Sequence, residues 1–326
     1  MTRNLFSKLI ALTAGIILLI VAYNHNQKSL YEISGTAYGT RWSITSTEYI
    51  SDLHKNNIIS IINRIDYVAS NYKKDSEIAL INFSKKNNFK ISNDLLNILT
   101  IAKDVEGSSN GFYNIMMAKV SSQLGFSPRF NNTLNQTNIS SYNIDTQNLI
   151  LSRDSSNWFD LSSIAKGYAV QCIHNYLKEN NMNNHLIDIG GEIIINGKNI
   201  DDNWKVGIQD PSYMNNKALK IITNDNSSFL AIATSGEYRN FKIGDNGNKV
   251  SHTINPKTLR SINNKILSVT VLHESSATYA DAYATAFNAM GYKQAFVKSN
   301  ELNVASMFVL NNDEIVYSNK WYDLVR

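Results

Sequence analysis

From Leu9 to Tyr23 the chain is almost continuously apolar, "LIALTAGIILLIVAY", with Arg3 and Lys8 before it and the polar "NHNQKS" after it. A basic start, an apolar run and a polar exit predict an export signal or an anchor, with positive residues inside and the body outside. The run has 15 residues, short of the roughly 20 that span a bilayer comfortably. Ile20 and Ala22 make an incomplete small-x-small cleavage pattern, so the reading favours an uncleaved anchor over residues 1–29 and a folded body over 30–326.

After the anchor the periodicity changes. "ISGTAYGTRWSITST" reads as β structure with a glycine-marked break. Ile58, Ile61, Ile62, Ile65 and Val68 then fall on one face at helical spacing, which predicts a long amphipathic helix. "DSEIALIN" predicts a short helix, and "SNDLLNILTIAKDVEGSSNG" a longer one capped by Ser92. Residues 127–150 are rich in Asn, Ser and Thr and read as a polar excursion. From "WFDL" the order is strand, helix, strand, turn, strand, through "SIAKGYAVQCIHNYLKEN", "HLIDIGG", "EIIING" and "WKVGIQDP", with Asn196-Gly197 a strong turn signal. Strands follow at "FLAIATSG" and "KILSVTVLH". The last clear helix, "SATYADAYATAFNAMG", is capped by Ser276 and closed by Gly291. With no fixed repeat, this order predicts one α+β domain, its long helices packed on a mostly antiparallel mixed sheet.

Composition narrows the chemistry. A chain of 326 residues, 43% hydrophobic and 18% charged, can bury a sizeable core. Its formal charge of +4 is dispersed, without the basic clusters of a nucleic-acid footprint. Cys172 is the only cysteine, which excludes an internal disulfide and suits a small buried hydrophobe. No cysteine follows the apolar run to carry a lipid. Phosphate-loop, zinc-cluster, Rossmann and serine-elbow signatures are absent as well.

Several constellations could carry chemistry. Asp281 and Thr285 lie four apart on the alanine-rich helix, so both oxygens leave one face. A carboxylate with a hydroxyl suits Mg²⁺ held by few protein ligands, although spacing alone leaves an ordinary Asp and a helix Thr as the alternative. His252, in "KVSHTINPKT", is a natural general base near neutral pH, and a lone histidine is as readily structural. "IATSGEYRNF" could line a pocket with Ser235, Gly236 and Arg239, or simply turn between strands. "FDLSSIAKGYAV" sets Asp160, Ser163, Lys166 and Gly167 at the start of a helix, whose free N–H groups favour an anionic phosphate.

Taken in order, "GTAYGTRWSI", "SNYKKDSEIALIN", "NGFYN", "FDLSSIAKGYAV", "LIDIGGEI", "IATSGEYRNF", "SHTINPKT" and "SVTV" with "ADAYATAFNAMG" resemble the ApbE family, the FAD:protein FMN transferases. The resemblance covers nearly all of the body and implies a T-fold-like architecture. It implies an enzyme that cleaves FAD with Mg²⁺, releases AMP and joins FMN to a threonine of an acceptor protein, a subunit of a redox-driven ion pump or electron-transfer protein. It also implies a place at the inner membrane, with the catalytic body on the periplasmic side.

By the same resemblance, Tyr38, Tyr72, Phe112, Tyr113, Asn114, Asp160, Lys166 and Ile254 belong to the flavin site. The Ser163 backbone, Asp281 and Thr285 hold Mg²⁺, and His252 is the candidate base. Three departures stand out: Tyr38 where Met is common, Asn114 where Asp is frequent, and Gln171 where Asp is usual. Hydrolysis of FAD to FMN and AMP, or flavin binding without turnover, are the competing outcomes.

Overall fold

In the computed structural model, residues 3–26, 29–128, 138–211, 217–225, 228–236, 241–243 and 249–325 are described. The organising element is an eight-stranded sheet: β1 (Tyr31–Ala37), β2 (Thr40–Ser46), β3 (His185–Ile189), β4 (Glu192–Asn196), β5 (Phe229–Gly236), β6 (Ile266–His273), β7 (Ala305–Leu310) and β8 (Ile315–Tyr317), side by side in that order. Every neighbouring pair is antiparallel. The expected mixed character is therefore absent from this sheet.

Alternation along the strands builds two cores, because successive side chains point to opposite faces. On β5, Ala231 and Ala233 join one core while Leu230 and Ile232 join the other. On β7, Phe308 and Leu310 face the first, and Ala305, Met307 and Val309 face the second.

The first face is covered by helices. These are α2 (Asp52–Ala69), α3 (Glu77–Phe83), α4 (Asn93–Ser108), α6 (Ala165–Glu179), α7 (Ala277–Met290) and α8 (Tyr292–Glu301), numbered after an N-terminal helix α1 (Arg3–Asn26) and with a short α5 (Ala118–Gln123) between α4 and α6 in the chain. Helix α7 lies on β5 and β6, and α6 lies against α7. Ile58, Ile62, Ile65 and Val68 of α2 are buried as their spacing predicts. Ser51, Ser76, Ser92 and Ser276 each accept the backbone N–H of the third residue on, satisfying an otherwise orphaned helix donor. The second face is covered by a hairpin, Lys205–Gln209 with Ala218–Thr223, and by Trp204 and Trp321.

Two expectations need correction. "WFDL" is not a strand. Its buried backbone is served by side chains and loops instead: the Asn82 amide donates to Phe159 O at 2.9 Å and accepts from Phe159 N at 2.8 Å, and Asp160 N donates to Ile115 O at 2.6 Å. A side-chain amide thus supplies the pair of bonds that a neighbouring strand would have made.

The apolar N-terminal run does form a helix, α1, of 24 residues. Among the described residues, however, no helix is long and apolar enough to cross a membrane, so the spanning anchor finds no support in the fold. Leu12, Ile16, Leu18 and Leu19 of α1 are all exposed.

Candidate active site

Helices α6 and α7 meet where α6 begins, and the contact is so close that only glycine fits. A Cβ on Gly167 would lie 2.5 Å from the Ala277 carbonyl oxygen and 2.7 Å from Asp281 Cβ. Gly167 N donates to Asp281 Oδ2 at 2.9 Å. In a regular helix that amide would go to the carbonyl four residues back, which here is Ser163. The next amide, Tyr168 N, bonds regularly to Ile164 O. That bond is the first of α6, so Gly167 lies in the opening turn, where amides have no acceptor in their own helix, and Asp281 supplies one from α7.

The cleft above this junction has a volume of about 960 Å³ and is lined by Ser163, Lys166, Asp281, Thr285 and His252. Candidates from three separate stretches of sequence, around residues 163, 252 and 281, thus line one cleft. Thr285 stands one turn after Asp281, as the spacing predicts. Ser163 Oγ donates to the Tyr113 hydroxyl at 3.1 Å, which leaves the Oγ lone pairs and the Ser163 carbonyl oxygen as what the residue can offer. One carboxylate, one hydroxyl and one carbonyl suit a hard cation that keeps several waters. Among the described residues no three His, Cys, Asp or Glu side chains form a metal cluster, so a cation here would rest on that smaller set.

The electrostatics agree with a cationic guest. Lys166 pairs with Glu192, and Asp188 and Asp281 also line the cleft. Burial alone would lower the lysine's pKa, but the Glu192, Asp281 and Asp188 charges outweigh it and hold the ammonium above its ordinary value. Burial raises the Asp281 carboxyl, against the opposing pull of Lys166 and the Gly167 amide. Burial also pushes Glu192 up to about 7, with Lys166 opposing and the Asp281 and Asp188 charges adding to it. An ion pair by itself would lower Glu192. The rise comes first from burial, with the Asp281 and Asp188 charges adding to it.

Tyr38 and Tyr72 line the same cleft. Tyr38 has φ 53° at the β1–β2 turn and donates its hydroxyl to Ile62 O at 2.8 Å. Tyr72 is exposed and donates to Phe126 O at 3.0 Å. Asp160 lines an adjoining cavity of about 130 Å³ that shares Tyr38, Tyr72 and Lys166 with the main cleft. Its carboxylate accepts from Ser127 Oγ at 2.9 Å and Ser162 N at 3.0 Å.

Four flavin-site candidates are not among the lining residues. Tyr113 is buried beneath Ser163. Phe112 lies under the Lys257 ammonium at 4.2 Å. Asn114 donates to Glu106 Oε1 at 2.7 Å and accepts from Met116 N at 2.8 Å. Ile254 begins the short strand that pairs with Ser261. Arg239 lies outside the described residues. Sequence reasoning missed Glu192 and Asp188 as site residues; the signal was the glycine pair between them, whose φ values of 65° and 102° turn β3 sharply into β4.

Residues 38–308 match the model of the ApbE family. The chain belongs to the ApbE family. It is 30% identical over 315 residues to a FAD:protein FMN transferase of Vibrio cholerae, covering 91% of this chain and 92% of that protein. It is 28% identical over 336 residues to one of Haemophilus influenzae, covering 95% and 94%. Among solved structures it resembles the flavin transferase ApbE from Vibrio cholerae with a TM-score of 0.79 at 26% identity, over 91% of this chain and 99% of that one. The ApbE protein of Thermotoga maritima shares the fold, with a TM-score of 0.78 at 22% identity over 91% of this chain and 100% of that one.

Within this ApbE-family chain the departures acquire local roles. Gln171 Oε1 accepts Ala277 N at 2.9 Å, so an uncharged amide ties α6 to the first turn of α7. Cys172 is partly buried on the same helix, and burial pushes its thiol up to about 11.

Proposed function

We propose that this protein is a Mg²⁺-dependent FAD:protein FMN transferase that moves FMN from FAD to a threonine hydroxyl of an acceptor protein and releases AMP. The observation that carries the reading is the joining of His252, Lys166, Ser163, Asp281 and Thr285 along one cleft large enough for a dinucleotide. The names of the ApbE relatives support it.

Asp281, Thr285 and the Ser163 carbonyl would hold Mg²⁺, which when bound would neutralise charge on the FAD pyrophosphate. The start of α6 presents backbone N–H groups to the same anion, and Lys166 adds an ammonium that Glu192 keeps in place. His252 takes the proton of the acceptor threonine as its oxygen attacks the FMN phosphorus. A phosphoester bond forms, the bond from that phosphorus to the bridging oxygen breaks, and AMP leaves. Tyr38 and Tyr72 offer aromatic faces at the cleft for a flavin or adenine ring.

The acceptor proposed is a subunit of a redox-driven ion pump or a related electron-transfer protein. The protein is proposed to work at the inner membrane, its body on the periplasmic side. The basic start of the chain and the exposed apolar surface of α1 support attachment there.

The test is intact mass of a threonine-bearing acceptor after incubation with the protein, FAD and Mg²⁺. A gain equal to FMN, abolished by chelation and strongly slowed in His252→Ala, is the expected result. AMP and FMN in solution with an unmodified acceptor would favour hydrolysis, and no AMP at all would leave flavin binding alone.

A further inference from the structure

Seven residues after Asp281, on the same face of α7, lies a polar side chain that none of the roles above uses. Asn288 is fully buried. Its Nδ2 donates to Thr253 Oγ1 at 3.2 Å and to Ser235 Oγ at 3.3 Å. Its Oδ1 is buried without a hydrogen-bond partner among the described residues. A buried, half-satisfied amide costs about 1–3 kcal/mol where a packed leucine would cost nothing, so packing alone does not account for it.

What the amide holds is the other side of the cleft. Thr253 and Ser235 both line it, and Thr253 follows His252 directly in the chain. Thr253 is itself buried and fastened at its backbone, N donating to Ser251 Oγ at 3.1 Å and O accepting from Ile262 N at 3.0 Å. Asn288 ties the Thr253 hydroxyl to α7, and two residues on Asn255 Nδ2 donates weakly to Ala289 O of the same helix at 3.5 Å. The Asn288 backbone oxygen is anchored too, accepting Asn264 Nδ2 at 2.8 Å and Gly291 N at 3.3 Å where α7 ends.

We infer that Asn288 is a positioning residue: by gripping Thr253 and Ser235 from the face of α7 that carries Asp281 and Thr285, it sets the distance between His252 and the metal-side wall of the cleft. This inference rests on the transferase reading and deepens it. The step it serves is acceptor deprotonation, which needs His252 in register with a phosphate placed by the opposite wall. Binding of FAD needs no such register. Small misplacements of reacting groups are costly, about 100-fold for about 1 Å.

The experiment compares wild type, Asn288→Leu, Thr253→Val and the double variant, reading FMN transfer to the acceptor, FAD affinity and melting temperature. Asn288→Leu should fold with an unchanged or higher melting temperature, keep FAD affinity within about twofold, and lose about tenfold or more in transfer rate. Thr253→Val approaches the same tie from its other end. It should show the same split, and the double variant should be no slower than the slower single one.

Wild-type transfer rates in Asn288→Leu would overturn the inference. So would losses that multiply in the double variant, or FAD affinity falling in step with rate, which would mark a merely structural residue. If Asn288→Leu fails to fold, the result from Thr253→Val decides: normal transfer overturns the inference. A wild-type protein that transfers nothing sinks the transferase reading and this inference with it, whereas an active wild type with an unaffected variant sinks this inference alone.

Discussion

Gly167 N donates to Asp281 Oδ2 at 2.9 Å, and that one bond organises the junction of α6 and α7. It orients the carboxylate, leaving its second oxygen for the cleft. It also satisfies a first-turn amide of α6 that has no acceptor in its own helix. The start of α6 and an aspartate of α7 thus meet at the residues proposed to hold Mg²⁺.

Gly167→Ala should therefore damage both stability and turnover. The new methyl would meet backbone at 2.5 Å, which flexible side chains cannot relieve. Overpacking of this kind costs about 1–3 kcal/mol. A lowered denaturation midpoint, with weaker Mg²⁺ dependence of any remaining activity, is expected; a midpoint equal to wild type would show that the helices separate freely.

Asp281→Asn separates the charge from the hydrogen bond, because an amide oxygen still accepts from Gly167. The variant should be folded and at least as stable as wild type, since burial disfavours the carboxylate it replaces. Mg²⁺-dependent turnover should fall by about 100-fold or more, in the range of losing a main electrostatic stabiliser. Thr285→Val should lose less. Full activity in Asp281→Asn would remove that residue from the metal site.

Asn82→Leu tests the loop that stands where a strand was expected. It strips partners from both Phe159 N and Phe159 O. Each buried orphan costs about 1–3 kcal/mol, and the loop leads directly into Asp160 and Ser163. Chemical denaturation should show a loss on that scale with the urea slope unchanged.

His174 and His185 give a pH prediction away from the cleft. His174 Nδ1 and His185 Nε2 are 2.9 Å apart, and His185 Nδ1 meets Met182 O at 2.9 Å. Burial lowers His174 to about 3, with His185 and Lys178 adding to the effect, and burial lowers His185 to about 4. Folded imidazoles held neutral bind fewer protons than unfolded ones with an ordinary pKa near 6.5. Stability is then level above about pH 6.5 and falls as pH drops towards 4. Imidazole NMR resonances that stay neutral down to pH 5 are expected; titration near 6.5 would contradict the burial argument.

Much of this was readable in one dimension. The isoleucine spacing of α2, the caps Ser92 and Ser276 and the closing Gly291 are local signals, and each produced the local structure it implied. So were the β-branched runs of β3 to β6, because alternation decides which side chains face which core. "WFDL" looked like a strand because its residues favour one, but Asn82, from a distant helix, supplied the bonds instead. Asn114 and Phe112 were placed at the flavin by resemblance, while the packing turns them towards Glu106 and Lys257.

The sequence by itself determined the long helices, the main strands other than the misread "WFDL", their faces and the four-residue spacing of Asp281 and Thr285, because those depend on neighbours within a turn or a pleat. Only the tertiary structure decided that Asp281 would meet the Gly167 amide, that Lys166 would pair with Glu192 near two further carboxylates, and that Asn288 would reach Thr253. Those contacts join residues far apart in the chain. They exist because antiparallel strands and close-packed helices bring the segments together, and no local pattern carries that information.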